Sequence, residues 1–223
     1  MILAENVEVA GANQPLLPQT SLRVRPGELM LIETGTPLAS TTMGLVLTGR
    51  MLPSSGTVTL TPEDAAQEAS THSTKAAVKD LRHHTALVDS PRITEPERFL
   101  TLEKFVTQEL ALLPREVSMK TTDWLAEHGF TDQASAWIEQ LSVPDRLQLV
   151  TRLAVAFPTV RALVYDAPDR HGHSDQWLPT LQELHDQTGL TTVALVQSIP
   201  PEWAGARALA GVRTPHPDTK PKP

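Results

Sequence analysis

The sequence contains no cysteine among its 223 residues. Disulfide bridges, zinc sites with thiolate ligands and catalysis by a cysteine nucleophile are therefore excluded. No stretch approaches the roughly 18 consecutive apolar residues that a membrane-spanning helix needs, and the N-terminus lacks a basic segment followed by an apolar core. These absences predict a cytoplasmic protein with no direct insertion into a membrane.

Glycine is scarce, and acidic residues outnumber basic ones. The chain has 11 glycines against 19 prolines, and a formal net charge of −7. The acidic balance does not favour a nucleic-acid-binding surface. Few glycines are available for loops that cradle phosphate groups with backbone N–H groups. No Lys or Arg occurs between Arg25 and Arg50.

Apolar runs and amphipathic segments succeed one another along the chain, and its length fits one α/β domain. We predict this domain over residues 1–210, with a helical subdomain at about 100–140 and a disordered tail at 211–223. Buried strands are predicted at 28–32, 85–88, 162–165 and 191–196. Helices are predicted at 43–47, 102–113, 121–128, 132–140, 147–157 and 177–187, and an exposed loop or marginal helix at 61–80.

Residues 141–171 hold the pattern around which the chain is organised. Apolar residues recur at helical spacing and give one apolar face: Leu147, Val150, Leu153, Ala154 and Phe157. Pro158 ends this helix, because proline has no N–H group and clashes with the preceding turn. A short buried strand follows at 162–165, with Asp166 at its C-terminal end. Open α/β sheets bind their ligands at that edge.

A second candidate site is the Ser/Thr-rich loop before the helix at 43–47. Measured from Gly35, the phosphate-loop pattern G-x-x-x-x-G-K-[ST] places Ser40 at the second glycine, Thr41 at the lysine and Thr42 at the hydroxyl. Measured from Gly49 instead, Ser40 takes the lysine position. Either register lacks the lysine. Thr41 or Thr42 can still offer a hydroxyl to a metal, and the helix N-terminus still favours an anion. The competing interpretation is a turn that caps a helix and binds nothing.

These segments together resemble the ATPase subunits of ABC transporters. The family has LSGGQ, a helix, and an apolar strand ending in Asp-Glu-Pro; this chain has Leu141-Ser142-Val143-Pro144-Asp145, a helix, and Val164-Tyr165-Asp166-Ala167-Pro168. Leu52-Pro53-Ser54-Ser55-Gly56-Thr57-Val58 is the closest local match. The resemblance implies an α/β, P-loop NTPase-like core with an antiparallel β subdomain and an inserted helical subdomain.

The resemblance also implies a vestigial nucleotide site formed by Gly35, Ser40, Thr41, Thr42, Ser142 and Asp166, in which Thr42 and Asp166 would hold Mg²⁺. Several of the family's chemical groups are replaced. Ala167 stands at the catalytic glutamate, and Val143 and Pro144 stand at the two glycines. The switch histidine falls on Gln197 or Ser198, and the glutamine after the strand at 85–88 falls on Asp89 or Ser90. A methyl group performs no acid–base chemistry, and proline removes a hydrogen-bond donor.

The resemblance with these losses predicts a degenerate, catalytically inactive pseudo-ATPase that binds no ATP and Mg²⁺ or binds them weakly. Its expected partner is a membrane permease or a paired ATPase subunit, in a homodimer or heterodimer at the inner face of the membrane. The alternative is an ATP-hydrolysing transporter subunit that works with a competent paralogue. A third is an unrelated P-loop-like module without helices at 100–140. His171-Gly172-His173 also gives a weak metal-site signal, for which a polar surface loop is the plainer interpretation.

Overall fold

Helices and strands alternate along the chain, as expected for an α/β protein. The computed structural model describes residues 1–61 and 75–211. In chain order the elements are β1 (Ile2–Val9), β2 (Leu17–Val24), β3 (Leu29–Glu33), α1 (Pro37–Leu47), β4 (Ser55–Leu60), α2 (Lys75–His84), β5 (Thr85–Val88), α3 (Leu102–Leu110), α4 (Thr121–Glu127), α5 (Val143–Val155), β6 (Ala162–Asp166), α6 (Ser174–Thr188), β7 (Thr191–Val196) and β8 (Ala206–Leu209).

A five-stranded parallel sheet, in the order β5-β6-β7-β3-β8, forms the core. Every residue of β6 and of β7 is buried, which explains why both strands are continuous apolar runs rather than alternating ones. One face of the sheet packs on α5 and α6, around the fully buried Trp177 and Tyr165. The predicted strands at 162–165 and 191–196 are confirmed.

A three-stranded antiparallel sheet, in the order β2-β1-β4, covers the other side of the core. Its inward residues share one hydrophobic cluster with α1 and with the second face of the parallel sheet. α1 is therefore held between the two sheets, which fixes the position of its N-terminal turn.

Helices α3 and α4 pack together in a third hydrophobic cluster, which confirms an inserted helical subdomain; an unrelated module without these helices is not supported. Leu149 and Leu153 of α5 join this cluster, whereas Leu147 and Val150 of the same helix join the core. The helix predicted at 132–140 is wrong. Short 3-10 turns at Thr131–Gln133 and Ile138–Gln140 flank a turn at 134–136 and Trp137, which forms an isolated β-bridge with Thr101. Backbone hydrogen bonds join this segment to 98–103.

Other differences from the predicted elements lie near the ends of the chain and before α1. α1 begins at Pro37 rather than at 43, and β8 was not predicted. Residues 61–80 were predicted as an exposed loop or marginal helix, and their described part from Lys75 onward is helical, because α2 begins there. Residues 62–74 and the predicted tail beyond 211 lie outside the described residues, so the tail and the domain boundaries stay predictions. Within the described ranges, no helix combines the length and apolar character that a membrane span requires.

Candidate functional site

The carboxyl ends of β3, β5 and β6 meet at one edge of the parallel sheet, and the chain places polar residues there. Asp166 is the last residue of β6 and pairs in register with Leu195 of β7. Its side chain is almost completely buried, at 1% exposure. Because a buried carboxylate is costly without hydrogen-bond donors, the surroundings of Asp166 decide what this edge can bind.

Three hydroxyl groups surround the Asp166 carboxylate. Ser40 Oγ donates to Oδ1 at 2.6 Å, and Thr41 Oγ1 and Ser90 Oγ donate to Oδ2 at 2.7 and 2.6 Å. These lengths are typical of charge-assisted O–H···O⁻ hydrogen bonds. In the part of the chain that the structure describes, no cationic group contacts this carboxylate. Its hydrogen-bonding capacity is therefore met by neutral donors from α1 and from the residue two positions after β5.

The position of Asp166 also distinguishes between the two registers of the phosphate-loop pattern. A hydroxyl that shared a metal with Asp166 would have to lie beside it, and the first-turn residues Ser40 and Thr41 lie there. Thr42 is buried in α1 and, among the described contacts, makes no hydrogen bond to Asp166. This geometry favours the register measured from Gly49, in which Ser40 occupies the lysine position. The assignment of Thr42 to a metal stays a prediction.

The connection from β3 to α1 is short. Helix α1 begins at Pro37, the second residue after Gly35, so most of the predicted loop is the first turn of the helix. Thr36 accepts the Ala39 N–H group on its side chain at 3.2 Å and the Ser40 N–H group on its carbonyl at 3.0 Å. Pro37 has no N–H group. Most first-turn amides that would face an anion are therefore absent or already bonded.

Ala167, at the position of the catalytic glutamate, has a left-handed backbone with φ 52° and ψ 56°. The N–H group of Ala167 donates to Leu195, and Arg170 donates to the carbonyls of Asp166 and Ala167. The next carboxylate along, Asp169, accepts the N–H group of Gln197 at 2.8 Å. Burial raises the pKa of Asp169 above its ordinary value, although the Gln197 N–H group opposes this shift.

The loop before α5 is closed by its own capping interactions. Ser142 Oγ donates to the Asp145 carboxylate at 2.7 Å and accepts the Asp145 N–H group at 3.2 Å. Pro144 lies in the first turn and offers no N–H group. The N-terminus of α5 thus carries the Asp145 carboxylate and a Ser142 hydroxyl that is already hydrogen-bonded. The negative charge interacts favourably with the helix dipole but would repel an approaching phosphate.

A second buried carboxylate, Asp89, lies immediately after β5 with φ 53°. Arg146 of α5 donates to both of its oxygens, from Nη2 at 2.7 Å and Nε at 3.0 Å. Arg170 Nη2 is 3.1 Å from Oδ1, and His171 Nε2 is 2.8 Å from Oδ2. Burial alone would raise the pKa of Asp89. Hydrogen bonds from His171 and Arg146 and the charges of Arg170 and Arg146 outweigh burial and lower this pKa from 3.8 to about 2.

No family model matches the sequence, and no curated protein matches it. Solved structures do match. The dimeric structure of MJ0796, a bacterial ABC transporter cassette, superposes with a TM-score of 0.60 at 17% identity, over 89% of this chain and 88% of that one. An ATP-binding subunit of an ABC transporter gives 0.62 at 15% identity, over 96% and 87%. The protein cbiO1 from Clostridium perfringens, part of the ABC transporter complex cbiONQ, gives 0.62 at 14% identity, over 88% and 78%.

The chain has the fold of an ABC transporter ATP-binding cassette. The resemblance drawn from the sequence is thereby confirmed at the level of the fold. Within this cassette fold, the structure brings Ser40, Thr41 and Asp166 together as the sequence suggested. Ser142 belongs to a separate cap on α5, and Gly35 has a positive φ of 71° in the β3–α1 connection.

The sequence did not predict several side chains that contact Asp166 or Asp89 at the carboxyl ends of the parallel strands. Ser90 was considered for a glutamine position, and not as a partner of Asp166. Arg146 and Arg170 carried no signal, because an ion pair between distant segments leaves no local pattern. Placing His171 in a metal site is not supported: its ring contacts Asp89, and the described residues hold no group of three or more His, Asp or Glu side chains that could bind a metal.

The hydroxyl groups around Asp166 lead to a stability prediction. Asp166→Asn keeps the shape but turns one acceptor oxygen into an N–H₂ donor that faces hydroxyl donors. We expect the free energy of unfolding to fall by about 2 kcal/mol, the scale of a hydrogen bond to a charged group. Urea unfolding measures the change, with Asp186→Asn on the exposed face of α6 as the matched control. An equal loss in both variants would show that the hydroxyls contribute little.

Asp89 should make stability depend on acid. Because the pKa of Asp89 is lowered to about 2, its contribution is fully present above the ordinary value near 3.8 and is lost as the pH falls towards 2. At 1.36 kcal/mol per pKa unit, this contribution is on the order of 2 kcal/mol. Urea unfolding at a series of acidic pH values should therefore show a steeper loss for the parent than for Asp89→Asn. Parallel pH profiles would contradict the assignment.

Proposed function

We propose that this chain is a non-hydrolysing member of the cassette fold that serves as a structural or regulatory partner of a membrane permease. The observation that carries the proposal is the Asp166 carboxylate, which accepts hydroxyl hydrogen bonds from Ser40, Thr41 and Ser90. Oxygen donors of this kind suit Mg²⁺ in principle. Here they satisfy one another, so a metal would have to displace bonds that already exist.

The missing lysine weighs more heavily against a nucleotide. A triphosphate placed beside α1 would approach the buried Asp166 carboxylate, which among the described residues has no ion pair with a cationic side chain. Two like charges repel, and the repulsion grows as the surroundings become less polar. The short β3–α1 connection adds few free N–H groups to offset it, because Thr36 already bonds those of Ala39 and Ser40. Nucleotide binding at this edge is accordingly absent or weak.

Hydrolysis lacks a base in the proposed site. Ala167 has a methyl group where the family has a glutamate, and a methyl group neither orients nor deprotonates water. Asp169 is bonded to the Gln197 N–H group, which holds its carboxylate at the end of β7. A general base and a cation that stabilises the transition state each raise the rate of such reactions by orders of magnitude, so a site without both should hydrolyse ATP extremely slowly.

The N-terminus of α5 does not favour a contribution of this chain to the nucleotide site of a competent paralogue. In the family, this loop completes the site of the opposite subunit. In this chain the Ser142 hydroxyl is engaged by Asp145, whose carboxylate stands at the helix N-terminus. A γ-phosphate presented by a partner would meet a negative charge and a proline rather than free N–H groups. The alternative of shared hydrolysis thus has no favourable contact on this side.

A titration with Mg-ATP tests the proposal. We expect no binding heat at millimolar ATP and no phosphate release from the purified chain. Ser40→Lys with Ala167→Glu should remain inactive, because neither substitution unwinds the first turn of α1 or frees its amides. Far-UV circular dichroism checks that the double variant folds. If the parent chain hydrolyses ATP and Asp166→Ala abolishes this hydrolysis, the proposal is contradicted.

A partner is suggested by the groove between the core and the helical subdomain. One solved neighbour is described as part of a transporter complex and another as a dimeric cassette. The groove of this chain has a volume of about 550 Å³. Arg50, Arg82 and His83 are among the residues that line it, as is the exposed apolar side chain of Leu112. Glu109 also lines the groove, and burial raises the pKa of its carboxyl above the ordinary value.

This distribution of charge fits one occupant, an amphipathic helix of a membrane permease that carries carboxylates on one face and apolar residues on the other. The apolar face would pack on Leu112 and its neighbours, while the carboxylates would face Arg82 and Arg50. Such a contact needs no nucleotide in the cassette. The permease association therefore stands independently of the state of the Asp166 site.

Site-specific photocrosslinking in cells that make the protein checks this contact. A benzoylphenylalanine at Leu112 should give an adduct that stays in alkali-extracted membranes, and Arg82→Glu should reduce its yield. The matched control is the same group at Phe99, which is 73% exposed but lies outside the groove. Equal yields at both positions, or adducts confined to soluble proteins, would contradict a permease. An adduct with an ATPase subunit would instead favour a paired cassette.

A further inference from the structure

Helix α5 connects the two parts of the cassette. Leu147 and Val150 pack in the core beside β5 and β6, while Leu149 and Leu153 pack against α3 and α4. A rotation or shift of α5 would therefore carry the helical subdomain with it. Whatever fixes α5 on the sheet also fixes the orientation of the helical subdomain.

The first turns of α5 are fixed by charge as well as by packing. Arg146 is 8% exposed and Asp89 is 4% exposed, and the two meet through paired hydrogen bonds at 2.7 and 3.0 Å. Such a fork of guanidinium on carboxylate sets direction as well as distance. Asp89 has a left-handed backbone, φ 53°, which a non-glycine residue keeps only where its surroundings hold it.

The turn after β6 supplies the remaining partners of Asp89. Arg170 reaches its Oδ1 at 3.1 Å and His171 its Oδ2 at 2.8 Å. Arg170 is also 3.5 Å from Glu95 and donates to the carbonyls of Asp166 and Ala167. One carboxylate thus joins the end of β5, the start of α5 and the turn at Pro168–His171.

We propose that Asp89, Arg146, Arg170 and His171 form an internal lock that holds α5 and the helical subdomain in one orientation against the parallel sheet without any nucleotide. The lock extends the proposed function, because a chain that takes no ATP needs another means of setting this orientation. Its partners all belong to the chain itself. The orientation consequently responds to the charge of Asp89 rather than to a ligand at Asp166.

The absence of cysteine makes the orientation measurable. Glu127 on α4 belongs to the helical subdomain and Gln182 on α6 to the core, and both are exposed, so Glu127→Cys and Gln182→Cys accept a pair of spin labels with no other thiol present. Pulsed electron spin resonance then gives the distance distribution between the helical subdomain and the core. The labelled parent should show a single narrow distribution.

Asp89→Asn removes the charge and should replace the single narrow distribution by a broader one that includes displaced subdomain positions. Asp132→Asn makes the same chemical change at an exposed position of the helical subdomain and should leave the distribution unchanged. If Asp89→Asn does not fold, Arg170→Met and His171→Asn each remove one partner while the Arg146 fork stays. Those variants should broaden the distribution to a smaller extent. Unchanged distributions in the folded variants would overturn the lock.

Adding Mg-ATP to the same samples separates the two proposals. The proposed function predicts that the parent distribution stays the same with and without Mg-ATP, because the chain takes no nucleotide, whereas the lock predicts broadening in Asp89→Asn. A shift on adding Mg-ATP, together with broadening in Asp89→Asn, would contradict the proposed function and leave the lock standing. No shift on adding Mg-ATP, together with no broadening in Asp89→Asn, would overturn the lock alone.

Discussion

The buried Asp166 carboxylate is the constraint on which the edge of the parallel sheet, at the carboxyl ends of β3, β5 and β6, depends. A carboxylate that is out of contact with water must receive hydrogen bonds, and the chain supplies hydroxyls from α1 and from the segment after β5. This requirement gives a reason for the identity of Ser40, Thr41 and Ser90 together. It also ties α1, the helix between the two sheets, to β6 of the parallel sheet. The carboxylate of Asp89, next to Ser90 in the sequence, is bonded by the cations Arg146 and Arg170 instead of by hydroxyls.

The packing of the fold is separate from the chemistry of this edge. The three hydrophobic clusters are built from aliphatic and aromatic residues of the strands and helices, and none of them depends on a residue that would contact a phosphate. Ala167 illustrates the separation. Its backbone keeps a left-handed turn and bonds to β7, while its side chain is reduced to a methyl group. A chain can therefore have the cassette fold with a methyl group at the position where the resemblance places a catalytic glutamate.

Sequence patterns predicted the elements whose burial is simple. β6 and β7 are continuous apolar runs, and α5 has a clear apolar face that ends before Pro158. The patterns failed where local spacing favoured one structure and contacts with a distant segment of the chain favoured another. Residues 132–140 have helical spacing, but their backbone pairs with the segment before α3. α1 begins at Pro37, before the predicted start at 43, because Thr36 caps it and Pro37 suits a first helical turn. Asp166 was identified because strand ends are predictable, whereas Ser90 and Arg146 depend on tertiary contacts.

The cap on α1 makes the short connection after β3 difficult to open. Thr36 and Pro37 are both favourable at a helix start, so an open loop at this place would require a stable helical turn to be undone. A lysine introduced at Ser40 would arrive on that turn and would remove one of the donors that Asp166 needs. Substitution of Ser40 thus lowers stability unless another donor to Asp166 replaces its hydroxyl. In evolutionary terms, the cap and the Asp166 hydrogen bonds restrict which substitutions this short connection accepts.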